Sequence, residues 1–231
     1  MKRKILKWTL RLTATGLLLF SCKKEDNKTA LSTCDKILYN LCDGNGVGEY
    51  CTFGYKWGSN NPFSNAGLEK PGPAIGQVKI TYKFQEAGLV FNTHAQSNVV
   101  SLSFDNNIID CTKDQFRKAL AEWESVTNVK FEEVLPSENS NMKIIVADIS
   151  QDGLGYPAFS DSPCSELAGL IVFKKNYNIN CESIYGIILH EIGHVLGLGH
   201  VNSNNVMNSN KQYKNLQTGD IKGIQTIYGK K

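Results

Sequence analysis

The chain has 231 residues, enough for one well-buried domain with appendages and too few for two large ones. Hydrophobic residues make up 41% and charged residues 20%, an ordinary globular balance. The formal charge of +3 comes from the first 21 positions, where Lys2, Arg3, Lys4, Lys7 and Arg11 stand without an acid. Beyond them the balance is slightly acidic, which argues against a nucleic-acid partner.

Residues 1–21 read as an export signal, a basic start followed by an apolar run from Leu12 to Phe20. The run is too short for a transmembrane helix, which needs about 20 apolar residues. It ends in "LFSC", Leu19 to Cys22, which resembles a bacterial lipobox and implies cleavage before Cys22 and a diacylglycerol on its thiol. The charged "KKEDNK" that follows resembles the surface-export signal on lipoproteins of some Gram-negative bacteria. The expected location is therefore the outer membrane of such a bacterium, with the protein lipid-anchored and facing outward.

Residues 22–75 are rich in Asn, Gly, Ser, Lys and Pro and lack periodicity, so they read as a tether and a cysteine-containing pro-segment or N-terminal extension. Beyond Cys22, Cys34, Cys42, Cys51, Cys111, Cys164 and Cys181 form an even set, which favours disulfides in an exported protein. Three precede residue 60 and three follow residue 110. Complete pairing thus requires a bridge from the early segment into the later domain.

From residue 76 to 231 the pattern is that of one folded domain. "VKITYKF" (78–84), "VVSLSF" (99–104), "VKFEEV" (129–134), "MKIIVADI" (142–149) and "LIVFK" (170–174) predict strands, by alternation or by continuous apolar runs. A first helix is expected over residues 111–128, with a capping box at Thr112 and Gln115 and an apolar stripe of Phe116, Leu120, Trp123 and Val126. A second is expected from Ser183 to Leu196, burying Ile184, Ile188, Ile192 and Val195. A third follows Thr218, with Ile221, Ile224 and Ile227 inward and Gly229 as its stop. The class is α+β: a twisted mixed sheet of about five strands with three helices.

The second helix carries "HEIGHVLGLGH", which holds three of the four histidines of the chain. His190 and His194 are one turn apart and share a face. On a continuing helix His200 would stand about 240° off that face, but Gly197 tolerates positive φ and lets the chain fold back. Three neutral imidazoles with an open fourth position suit one catalytic zinc. Glu191 is then free to hold the attacking water, accept its proton and pass it to the leaving amine.

HExxHxxGxxH is similar to the zinc signature of the metzincins, which a methionine turn follows. Met207 in "NNVMNSN" fits that turn, packing under the imidazoles without ligating. The ending "LQTGDIKGIQTIYG" resembles the matrixins, as do "ITYKF", the Trp123 helix and the strands after it. The resemblance covers roughly residues 75–231 and implies a metzincin catalytic domain with its zinc cleft at the second helix. It implies a monomeric metalloendopeptidase acting on extracellular proteins or peptides. A non-catalytic, adhesin-like zinc lipoprotein and a hydrolase of non-peptide amides are the rival readings.

Two features depart from the family. Animal matrixins hold a second, structural zinc with three further histidines, and only His94 remains here. The turn reads Met207-Asn208-Ser209 in place of Met-Tyr-Pro, which rebuilds the wall of the specificity pocket; Tyr213 is either a wall residue or, the favoured reading, an ordinary surface tyrosine. Ser209 also removes the tyrosine ligand that astacins and serralysins carry. Calcium, usual in the family, has Asp148, Asp152 and Asp161 as candidate ligands. A latency switch on the zinc has Cys34, Cys42, Cys51, Asp35 and Asp43 as candidates.

Overall fold

The computed structural model describes residues 50–58, 77–93, 96–159, 164–210 and 212–231. Cys22, Cys34, Cys42, Asp35, Asp43, His94 and Asp161 lie outside them.

Apolar runs make the middle of the main sheet. β6 (Met142–Ala147) and β8 (Leu170–Lys174) are each buried at all but one position, as strands covered on both faces are. β2 (Val78–Phe84) and β5 (Val129–Glu133) alternate buried and more exposed residues. The order is β5-β2-β6-β8-β7, in which the first four strands are parallel and β7 (Gly153–Gly155) runs antiparallel to β8 at one edge. With α1 (Thr112–Val126), α2 (Cys181–Val195) and α3 (Thr218–Tyr228) this is the α+β architecture expected, a mixed five-stranded sheet with three helices. No helix among the described residues is long and apolar enough to cross a membrane.

α1 buries Phe116, Leu120 and Trp123, and the Trp123 Nε1–H donates to Leu189 O of α2 at 3.2 Å. The expected capping box at its start is not formed. Cys111 is the N-cap, in helical conformation and without a side-chain cap, while the Thr112 hydroxyl donates backward to Ile109 O. The end is held covalently instead, by a Cys111–Cys181 disulfide joining the first turns of α1 and α2 with Cα atoms 6.0 Å apart. A true capping box opens α3, where Gln217 and Asp220 exchange bonds with each other's backbone.

The expected strand at 99–104 shortens to β4 (Val99–Val100), paired with β3 (Val90–Phe91). After Ser101 N bonds Leu89 O, Leu102 turns to Val146 of β6, so the run changes partners and cannot continue one ladder. In α3, Ile224 and Ile227 are fully buried and Ile221 is half-exposed.

Within the stretch read as tether and extension, residues 51–54 are buried, residues 50 and 55–57 partly so, and Gly58 is exposed. β1 (Cys51–Thr52) pairs antiparallel with β9 (Leu198–Gly199), just before His200. Phe53 is fully buried. Cys51 and Cys164 are disulfide-bonded as well. Since Cys111 and Cys181 pair with each other, the partner of Cys164 lies among the cysteines before residue 60, which is the cross-link that counting required.

Candidate metal centre

α2 begins at an Asn180 N-cap, whose side chain accepts from Ser183 N, and ends one residue after His194. Leu196 N and Gly197 N close its last turn on Ile192 O and His194 O, and Gly197 takes φ +103°. That positive φ turns the chain back as the spacing predicted, and β9 then delivers His200 to the other two rings. Candidate ligand atoms of His190, His194 and His200 lie within 4.8 Å of one another. His200 Nε2 is 3.1 Å from both His190 Nε2 and His194 Nε2.

Two backbone carbonyls fix the tautomers. His190 Nδ1 donates to Val206 O at 2.7 Å and His194 Nδ1 to Leu198 O at 2.9 Å, which leaves lone pairs on both Nε2 atoms. His200 Nε2 carries at most one proton and cannot satisfy both, so at least one converging lone pair is left open to a cation or another donor. Burial holds His190 and His200 down to about 4 and His194 well below its ordinary range, so all three are neutral near pH 7, the form that binds a metal. Tetrahedral zinc with Zn–N bonds of about 2.0–2.1 Å places its nitrogens roughly 3.3 Å apart. The donor set therefore fits zinc. Among the described residues these histidines are the group of three that could hold a metal. Asp148 is ion-paired with Lys175, and Asp152 accepts from Tyr177 Oη at 2.7 Å.

Glu191 is 7% exposed and lies against β7. A Cβ at Gly153 would come within 2.9 Å of Glu191 Oε1, and one at Gly155 would run into the Glu191 carbonyl. Burial, with the nearby Asp152 charge, pushes the carboxyl up to about 8. Asp152 O and Tyr156 bond the β8 side of the edge strand. By strand alternation, the backbone groups of Gly153 and Gly155 point the other way, into the cleft.

Met207 is buried, and its sulfur fills the space that a Cβ of Gly193, one residue before His194, would need. Gly186 likewise admits the Tyr213 backbone carbonyl, so the two internal glycines of the helix make room for the loop that follows. Sequence reasoning missed what holds that loop. The Asp220 carboxylate, 1% exposed, accepts from Val206 N at 2.8 Å, Met207 N at 3.3 Å and Gln217 N at 2.8 Å. It thereby sets the Val206 carbonyl that orients His190. A buried acid inside a helix-start pattern was the available signal.

Beside the rings opens a cavity of about 400 Å³, lined by Ile187 and Val206 together with Asp152, Asn208, Asn210 and Gln212. Tyr213 is not among its walls; its hydroxyl donates to Asn204. The Asn208 amide is already bonded to Ser203 O and Asn210 N.

A His-Glu pair on one helix, a second histidine one turn on and a third after a tight turn define a metallopeptidase-type centre. A family model described as Matrixin, of the M10 peptidases, matches residues 94–229, more than half of the chain, which therefore belongs to the matrixin family. Its relatives include matrix metalloproteinase-C of Caenorhabditis elegans, 27% identical over 153 residues, which are 52% of this chain and 26% of that protein. Matrix metalloproteinase-16 of Homo sapiens is 30% identical over 144 residues, covering 51% of this chain and 24% of the relative. Metalloendoproteinase 1 of Glycine max is 28% identical over 143 residues, covering 52% and 46%. The chain spans less than half the length of these curated relatives.

Proposed function

We propose that the chain is a zinc-dependent endopeptidase acting on extracellular proteins or peptides, lipid-anchored through Cys22 to the outer membrane of a Gram-negative bacterium. The observation that carries the catalytic reading is the convergence of three neutral imidazoles beside a buried Glu191 at the inner side of an edge strand. His190, His194 and His200 would hold one zinc. When bound it supplies Lewis-acid chemistry, polarising a carbonyl and lowering the pKa of water to about 7.

The chain's own groups do the rest. The outward backbone groups of Gly153 and Gly155 align an extended peptide by strand addition. Pro157 lies beyond β7, so its missing donor does not interrupt that ladder. Glu191 accepts the proton of the attacking water and delivers it to the leaving amine. The cavity beside His190 receives a substrate side chain. Asp152 and Gln212 in its walls favour a polar or basic side chain over a long aliphatic one.

Cleavage of casein or gelatin, with N-terminal sequencing of the products and inhibition by a zinc-binding hydroxamate, tests the reading. A zinc-replete wild-type protein that cleaves no peptide bond would overturn it in favour of a binding protein.

A further inference from the structure

A helix leaves its last carbonyls without intrahelical partners. At the end of α2, residues far away in sequence supply part of what is missing. Val195 O accepts from Trp57 Nε1 at 3.0 Å, across 138 positions, and Gly197 O accepts from Phe53 N at 2.8 Å. Leu196 O accepts from the Tyr228 hydroxyl at 3.0 Å, and the Tyr228 hydroxyl oxygen in turn accepts from Trp57 N at 3.0 Å.

The segment also shapes what comes next. Leu198 and Gly199 are a strand through pairing with Thr52 and Cys51, and Leu198 O is the acceptor that orients His194 Nδ1. The Phe53 ring backs the His194 ring at 5.4 Å between centroids. Gly197 is required twice over: for its positive φ, and because a Cβ there would collide with Tyr55 O. None of residues 50–57 lines the cleft, whose walls come from residues 152–155, 186–194 and 200–212. Cys51 is disulfide-bonded and is no thiol switch.

We propose that residues 50–57 are a resident backing strand of the metal centre, a positioning element for His194 and His200 that stays with the working protein. This rests on the reading of the three histidines as a zinc site. A pro-segment blocks a site from its open side and leaves; this one supports the site from behind. Any processing that activates the protein therefore spares residues 50–57, and covers the cleft, if at all, with other parts of the chain.

The test uses the full chain with Phe53→Ala, Phe53→Leu and Trp57→Phe. Zinc affinity is measured by chelator competition, ligand geometry by the visible spectrum of the cobalt(II)-substituted protein, and folding by the Tm of the zinc-free protein. Phe53→Ala is expected to weaken zinc about 10- to 100-fold, as loss of support behind a ligand does, and to shift the cobalt spectrum. Phe53→Leu should recover most of the affinity, and Trp57→Phe should lose part of it. Variants that lower only the Tm, with wild-type zinc affinity and spectrum in the folded protein, overturn the proposal. A second measurement covers failure to fold: mass spectrometry of the active wild-type protein from its host should find residues 50–57, and an active form lacking them overturns the proposal. A wild-type protein that binds no zinc sinks the metal-site reading itself, a distinguishable result.

Discussion

The sulfur of Met207 stands where a Cβ of Gly193 would be, with Trp123 Cζ2 3.3 Å from the same point. Gly193→Ala gains about 1 kcal/mol of helix propensity but forces the methionine sulfur out of its place against the helix at a cost of about 1–3 kcal/mol. The expected outcome is a lower Tm and weaker zinc binding, measured with and without chelator. An alanine variant with wild-type values of both would show that the contact does not constrain the site.

Glu191→Ala should keep about one zinc per chain and fold normally while losing several orders of magnitude in peptide hydrolysis. His194→Ala should lose zinc and stability together, because metal binding is part of the folding free energy. His94→Ala should change neither. Metal content beside turnover checks all three, and an active Glu191→Ala protein would refute the assigned role.

His190 and His200 titrate near pH 4 in the folded chain, against an ordinary 6.5, because burial disfavours their charged forms. Between these values the unfolded chain binds protons that the folded chain does not, so stability rises with pH across the window. Glu191, raised to about 8, opposes this with one proton that only the folded chain holds. The Tm of the zinc-free protein should therefore fall from about pH 6, where the histidines outweigh it, to about pH 4. Replacing both histidines by glutamine should flatten the profile between about pH 7 and 5. An unaltered slope in that double variant would assign the pH dependence elsewhere.

Asp152 contributes the carboxylate in the cavity wall other than Glu191. Asp152→Asn should reduce the kcat/KM advantage of a basic over an aliphatic side chain in that cavity by about 10-fold, the size of one charge-assisted hydrogen bond. Competing peptide mixtures read this ratio directly. A wild-type protein that prefers leucine there, unchanged in the variant, would exclude a role for Asp152 in selection.

Cys22→Ala should move the protein out of the membrane fraction, since the lipid is the expected anchor. Unchanged membrane association in that variant would rule out lipidation at this position.

What the sequence by itself determined is what depends on short spacing. The one-turn separation of His190 and His194, the positive φ at Gly197, the methionine turn at Met207 and the apolar stripe of α1 are all set within a few residues. Helix and strand periods are local rules, so their signals survive without knowledge of neighbours. The capping box expected at Thr112 did not form because Cys111 is the N-cap and the Thr112 hydroxyl turns back to Ile109 O, and the strand at 99–104 broke because Leu102 bridges to Val146. Only the tertiary structure decided that Phe53 and Trp57 support the end of the metal helix, that Asp220 holds the methionine turn, and that Gln212 rather than Tyr213 walls the cavity. Those contacts join residues from about ten to well over a hundred positions apart, and which orphan carbonyl meets which distant donor depends on how the layers pack, which no local period encodes.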